Sequence, residues 1–120
     1  MLQHLYLGHN QISDKGVTSL STMLKTNRRL TWLWLTGNEI TNRGAEELLN
    51  TLSDSNVTLE WLFLNSNKSI NDDIVDVFLH MLKRNQSLKT LYLNDCNLSE
   101  QARRTLSKMT SHKTDFDLEV

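Results

Sequence analysis

Four short segments of the chain alternate apolar with other residues, and each is followed by a stretch in which apolar residues recur with a period near 3.6. In the second of these segments Leu33 and Leu35 flank Trp34, and the leucines within 45–52 then fall on one side of a helix. Strict alternation predicts a strand with one buried face, and the helical period predicts an amphipathic helix. Each segment with its following stretch therefore forms a strand, a turn and a helix.

The alternating segments share the string LxxLxLxxN/CxL, which occurs four times at a spacing of 28 or 29 residues. In the third copy the last apolar residue, Ile70, comes one position late, so the turn before it should bulge. Self-similarity at a fixed period indicates a solenoid, in which each unit buries its apolar face against its neighbours. The copies are Leu2-Leu5-Leu7-Asn10-Ile12, Leu30-Leu33-Leu35-Asn38-Ile40, Leu59-Leu62-Leu64-Asn67-Ile70 and Leu88-Leu91-Leu93-Cys96-Leu98.

The predicted fold class is α/β: a right-handed, curved α/β solenoid, part of a horseshoe, with four strand-turn-helix repeats in a single domain over residues 1–120. A helix takes about 10 Å of the stack and a strand about 4.8 Å, so the parallel sheet lies on the concave side and the helices lie on the convex side. The predicted repeats are 2–29, 30–58, 59–87 and 88–115, with a degenerate closing strand at 116–120.

Element boundaries follow from the same pattern. Strands should begin at Leu2, Leu30, Leu59 and Leu88, and helices should span about 14–26, 42–54, 72–84 and 99–110. A residue suited to an N-cap precedes each helix, and an acid stands just behind three of these caps. The caps are Ser13, Thr41, Asn71 and Ser99. In the closing strand, Phe116, Leu118 and Val120 should face inward, and the acids between them should discourage further pairing.

This pattern resembles the leucine-rich repeat superfamily, and within it the ribonuclease-inhibitor-like class, which has long repeats with a full helix on the convex side. The likeness rests on the four string copies and on the helix starts at Gly16-Val17 and Gly44-Ala45. It implies a binding scaffold, the role this class has in ribonuclease inhibitors, Ran GTPase-activating proteins and NOD-like receptors. It also implies a ladder in which Asn10, Asn38, Asn67 and Cys96 satisfy backbone groups of the turns, as buried amides require.

Residues that alternate with the strand leucines should face the concave side, and they are the candidate binding surface. Six of the eight aromatic residues of the chain fall there. Six rings, even half covered by one another, would expose on the order of 500 Å², which is large for a monomer and typical of an interaction site. We expect Trp34 and Phe63, in the middle, to be the main contacts. The predicted partner-binding residues are His4, Tyr6, Trp32, Trp34, Trp61, Phe63, Thr90 and Tyr92.

No pattern in the sequence predicts chemistry. Catalytic and metal motifs are missing around all four histidines, and no cofactor is expected. We interpret Cys96 as a small buried residue rather than a nucleophile. Four N-x-S/T sequons occur, at Asn56, Asn67, Asn85 and Asn97, where roughly two would arise by chance in a chain so rich in these residues. Asn67 is also a repeat position that should be buried, so we do not expect N-glycosylation.

Composition narrows the class of partner. The net charge of −1 argues against a nucleic-acid binder, and no apolar stretch is long enough for a membrane span. With one cysteine and no signal sequence, the expected location is cytoplasmic.

Two main hypotheses remain. The first is a non-catalytic module that binds a protein partner on the aromatic concave side. The second is a self-associating structural piece of a longer array, because the first repeat leucine follows Met1 directly and leaves the N-terminal edge without a cap. A homo-oligomer would then pair through that edge or through the aromatic patch. Carbohydrate binding through ring stacking is a third, weaker idea, because polar partners beside the rings are sparse.

Overall fold

A computed structural model describes residues 2–120 as one five-stranded sheet in the order β1-β2-β3-β4-β5, with every neighbouring pair parallel. Strands and helices alternate along the chain, so the sheet forms one layer and the helices form the other. The elements are β1 (His4–Tyr6), α1 (Asp14–Thr26), β2 (Trp32–Trp34), α2 (Asn42–Asp54), β3 (Trp61–Phe63), a 3-10 turn (Asp72–Ile74), α3 (Val75–Arg84), β4 (Thr90–Tyr92), α4 (Glu100–Thr110) and β5 (Asp117–Glu119). The predicted α/β solenoid is confirmed.

The helix boundaries agree closely with the pattern, but the strand starts were predicted two residues too early. Regular pairing begins at His4, Trp32, Trp61 and Thr90 rather than at the leucines. The reason is a shared acceptor: the amides of Thr31 and Trp32 both donate to the carbonyl of Gln3, at 2.8 and 3.0 Å. Two successive amides on one carbonyl shift the register, so the parallel ladder starts only after them.

The core lies between the sheet and the helices, and the central repeat leucines fill it. Leu33, Leu62 and Leu91 are fully buried between the two layers. Two apolar residues that the pattern predicts in this core, Leu2 of the first string and Met109 of the fourth helix, lie outside it: Leu2 is 62% exposed and Met109 is 46% exposed. Both lie in the outermost units of the described stack, where no neighbouring unit covers them.

The predicted asparagine ladder is present and links the turns of successive repeats. The Oδ1 atom of Asn38 accepts the amides of Asn10 and Ile12 at 3.1 and 3.0 Å, and its Nδ2 donates to the carbonyls of Leu7 and Leu35. Asn67 makes the equivalent bonds one repeat later. In the fourth unit the thiol of Cys96 donates to the carbonyl of Leu64.

The extra residue of the third turn is accommodated without breaking this ladder. Lys68 and Ser69 lie exposed on the surface, and the amide of Ile70 donates back to the carbonyl of Asn67 at 3.1 Å. Ile70 is thereby returned to the core, where it is fully buried. The predicted bulge is confirmed.

A second ladder, which the sequence analysis missed, runs along the opposite edge, where helices end and strands begin. The Oδ1 atom of Asn56 accepts the amides of Thr58 and Leu59, and its Nδ2 donates to the carbonyl of Leu24 at 2.8 Å. Asn27 makes the same acceptor bonds one repeat earlier, and Asn85 repeats the whole set one repeat later. The sequons at Asn56, Asn67 and Asn85 therefore mark buried structural amides.

A lysine takes the place of the asparagine at the last step of this second ladder. The Nζ atom of Lys113 donates to the carbonyls of Leu82 and Asn85, at 3.0 and 3.2 Å. Partial burial of the ammonium lowers the pKa of Lys113, because desolvation disfavours the charged form. The long side chain reaches the two carbonyls from a segment that carries no ladder amide.

The closing strand is confirmed as a fifth member of the sheet. β5 pairs with β4, with Leu118 opposite Leu91, and Phe116, Leu118 and Val120 pack partly buried against the core. Asp117 and Glu119 are exposed on the other side of the strand.

Candidate functional site

The register of the sheet places the predicted binding residues in two straight columns on its open side. One column is His4, Trp32, Trp61 and Thr90, and the other is Tyr6, Trp34, Phe63 and Tyr92. We call the seven ring-bearing members the aromatic face. Neighbouring strands lie about 4.8 Å apart, so side chains in one column must touch.

The rings of the aromatic face pack on one another across the strands. Trp32 and Trp61 are stacked with centroids 4.6 Å apart, and Trp34 and Phe63 are stacked at 4.4 Å. Tyr92 meets Phe63 in an edge-to-face arrangement at 4.9 Å. These are the favoured geometries of aromatic pairs, so the rings form one contiguous surface. At the outer end, His4 and Tyr6 lie against Trp32 and Trp34.

Stacking covers the centre of this surface, and here two expectations were wrong. Phe63 is only 5% exposed and Thr90 is also buried, although both lie in the concave columns. Rings on three sides cover Phe63, namely Trp34, Tyr92 and Trp32. The exposed part of the face consists of the outer residues His4 and Tyr6, with the tryptophans and Tyr92 partly exposed.

A glycine supports the exposed end of the second column. A Cβ atom at Gly8 would lie 3.0 Å from Cδ1 of Trp34 and 3.2 Å from its Nε1. The indole therefore packs directly over the backbone of the neighbouring repeat. Any larger residue at this position would have to displace Trp34.

The charged groups beside the aromatic face are few and unevenly placed. At the edge where the strands begin, Glu60 and Lys89 form an ion pair at 3.3 Å. On β5 the same two columns continue with Asp117 and Glu119, which pair in register with Thr90 and Tyr92. From their place in the sequence, these acids are predicted only to discourage further strand pairing. Their alternation with Leu118 was the signal that could have added them to the face.

Within residues 2–120 no group of three or more His, Cys, Asp or Glu side chains is placed to hold a metal ion. Burial raises the pKa of the Cys96 thiol, which disfavours the reactive thiolate. No helix in the same stretch is long and apolar enough to cross a membrane.

Comparison with known proteins agrees with the fold. A family model described as Leucine Rich repeat matches residues 1–21 and 26–49, and one described as Leucine Rich Repeat matches residues 87–109. No curated protein matches the chain. Among solved structures, the chain is similar to "Leiomodin-1 Actin-Binding Site 2 (ABS2)", with 17% identity, a TM-score of 0.83, and coverage of 98% of this chain and 69% of that chain. At this identity the likeness concerns the fold, and together with the two sequence models it places the chain in the leucine-rich repeat superfamily.

Proposed function

We propose that the protein is a non-catalytic interaction module that binds a partner protein through the aromatic face. The observation that carries the proposal is the contiguity of the rings: all three tryptophans and both tyrosines lie in two columns on one side of the sheet. Aromatic residues dominate the energetics of protein interfaces, and the preference of aromatic residues for strands accounts for one or two such rings rather than six.

The stacked arrangement supports recognition of a protein surface rather than a sugar. Carbohydrates stack on open ring faces, whereas Trp32, Trp61, Trp34 and Phe63 already cover faces of one another. What remains for a partner is a ridge of ring edges and partly exposed indoles, which suits apolar side chains. A related use of the fold is indicated by the similar solved structure, which is named as an actin-binding site of leiomodin-1.

Replacement of one half-exposed ring tests this proposal. The partner is first captured with the wild-type protein and purified. Trp34→Ala should then weaken the binding free energy by about 2 kcal/mol, close to thirtyfold in Kd. The control is Met109→Ala, which removes an exposed apolar side chain from α4 on the opposite layer. Isothermal titration with both variants decides the matter. Equal losses in the two, or none in either, would contradict a role for the aromatic face.

Self-association is the second candidate function, and the open side of the first unit favours it. Leu2 is exposed there, and Oδ1 of Asn10 accepts no amide from residues 2–120, although the equivalent atoms of Asn38 and Asn67 each accept two. Sedimentation equilibrium distinguishes the two candidates. A monomer would leave the aromatic face as the binding surface, whereas a dimer that Leu2→Glu dissociates would assign the association to the first unit.

A further inference from the structure

The fifth strand ends the aromatic columns with two carboxylates. Asp117 follows Thr90 in the first column and Glu119 follows Tyr92 in the second. Both acids are exposed, and neither forms an ion pair or a side-chain hydrogen bond with any residue of the 2–120 stretch. The two carboxylates point to the same side of the strand, about 7 Å apart. One end of the concave surface is therefore acidic, and the other is aromatic.

No cation in the described stretch, residues 2–120, lies within ion-pair distance of either acid. The positions in the columns are aromatic or neutral in the first four strands, and the nearest ion pair, Glu60 with Lys89, cancels within itself. The concave side thus carries a local negative potential, while the whole chain has a net charge of only −1. A complementary partner would bring positive charge to β5 and apolar surface to β1 through β4.

The ring geometry indicates that different residues contact the positive charge and the apolar surface of a partner. In the middle of the face each stacked ring covers a face of its neighbour, at centroid distances of 4.4 and 4.6 Å. A cation above those ring faces is therefore obstructed, and the carboxylates remain as its partners. The apolar part of a partner meets the ring edges instead.

We propose that the concave surface binds a linear segment of a partner protein that carries apolar side chains at one end and Lys or Arg at the other. Five strands about 4.8 Å apart span about 19 Å, the length of roughly six extended residues. The apolar side chains lie against Tyr6, Trp32 and Trp34, and the basic side chain lies between Asp117 and Glu119. This inference rests on the proposed function and adds the chemistry of the partner to it.

Peptide selection tests the proposal without a known partner. A display library of random linear peptides is selected on the wild-type protein, and the enriched peptides are synthesised and measured by fluorescence anisotropy. We expect Lys or Arg about four residues away from the apolar residues, because three strand spacings separate β2 from β5, and affinity should fall as salt rises. The double variant Asp117→Asn/Glu119→Gln should bind these peptides about tenfold more weakly, as two exposed ion pairs allow.

The matched control is Asp73→Asn/Asp76→Asn, which removes the same charge from exposed positions in the helical layer. It should leave the affinity unchanged. Enriched peptides that are neutral or acidic, yet lose affinity with Trp34→Ala, would overturn this inference and leave the proposed function standing. A selection that enriches nothing on a protein with a native circular dichroism spectrum would overturn this inference, and the titration with Trp34→Ala would still decide the proposed function.

Discussion

The first and third repeats share the same string of residues, yet the structure treats them differently. Leu59 is fully buried and Leu2 is 62% exposed, and Phe63 is 5% exposed where Tyr6 is 60% exposed. The third repeat has neighbours on both sides, whereas the first has a described neighbour on one side only. In a solenoid, burial is thus a property of the stack and not of the residue alone.

The same contrast holds for the polar ladder. Asn67 lies fully buried between the turns of the second and fourth units, and its side chain bonds to backbone groups of the second unit and of its own. Asn10 is exposed, and within residues 2–120 its side chain bonds only to carbonyls of its own turn. A central position should therefore tolerate substitution much less than the same position at the edge.

Removal of a central ring should have the largest effect. Phe63→Ala is expected to lower the free energy of unfolding by about 3 kcal/mol, because three rings lose their contact with a buried side chain. Tyr6→Ala should lower it by less than about 1 kcal/mol, since only one cross-strand ring pair is lost. Urea unfolding of both variants measures the difference. Equal losses would mean that burial of Phe63 contributes nothing to stability.

The ladder asparagines come next in size. Asn38→Ala leaves the amides of Asn10 and Ile12 without their acceptor, while the carbonyls of Leu7 and Leu35 lose one donor and keep those of Asn10 and Asn67. We expect a loss of about 2–3 kcal/mol, because buried polar groups are costly when unpaired. Asn10→Ala should cost under about 1 kcal/mol, because water reaches its partners. The two melting curves should separate clearly, and a superposition would refute the comparison.

The smallest expected effect comes from a contact at the start of a helix, and it is tested by the dependence of stability on pH. Asp72 accepts hydrogen bonds from the amide and the hydroxyl of Ser99, which links the third unit to the fourth. One repeat earlier, Asn42 makes the corresponding link by hydrogen bonds to Asn71. The hydrogen bonds from Ser99 hold the pKa of Asp72 below its usual value. The ionised carboxylate therefore stabilises the fold at any pH above that usual pKa. The contribution is lost as the pH falls through the lowered folded-state pKa.

The free energy of unfolding is measured at about pH 6 and again at a pH below the usual aspartate range. Between these two conditions, Asp72→Asn should lose less stability than the wild type. Asn42 carries no titrating group, so its hydrogen bonds with Asn71 should not contribute to this difference. If wild type and variant lose the same stability in acid, the Asp72–Ser99 contact does not titrate as the geometry requires.

Most of the architecture could be predicted from the sequence, because the same pattern of strand, turn and helix occurs in it four times. Helices α1 and α2 have the predicted bounds, and the ladder of Asn38 and Asn67 follows from their place in the string. The second ladder was missed because Asn56 and Asn85 stand just before the string, where their side chains bond to a repeat earlier in the chain. Only the fold shows that contact.

By itself, the sequence determined the period, the order of strands and helices, and which side of each strand faces the core, because side chains alternate along a strand. The tertiary structure decided which members of the aromatic columns remain exposed. Phe63 and Tyr6 occupy equivalent positions, and only the rings of neighbouring strands bury the first and leave the second open. It also brought Asp117 and Glu119 into the columns, because register is set by pairing between strands far apart in the chain.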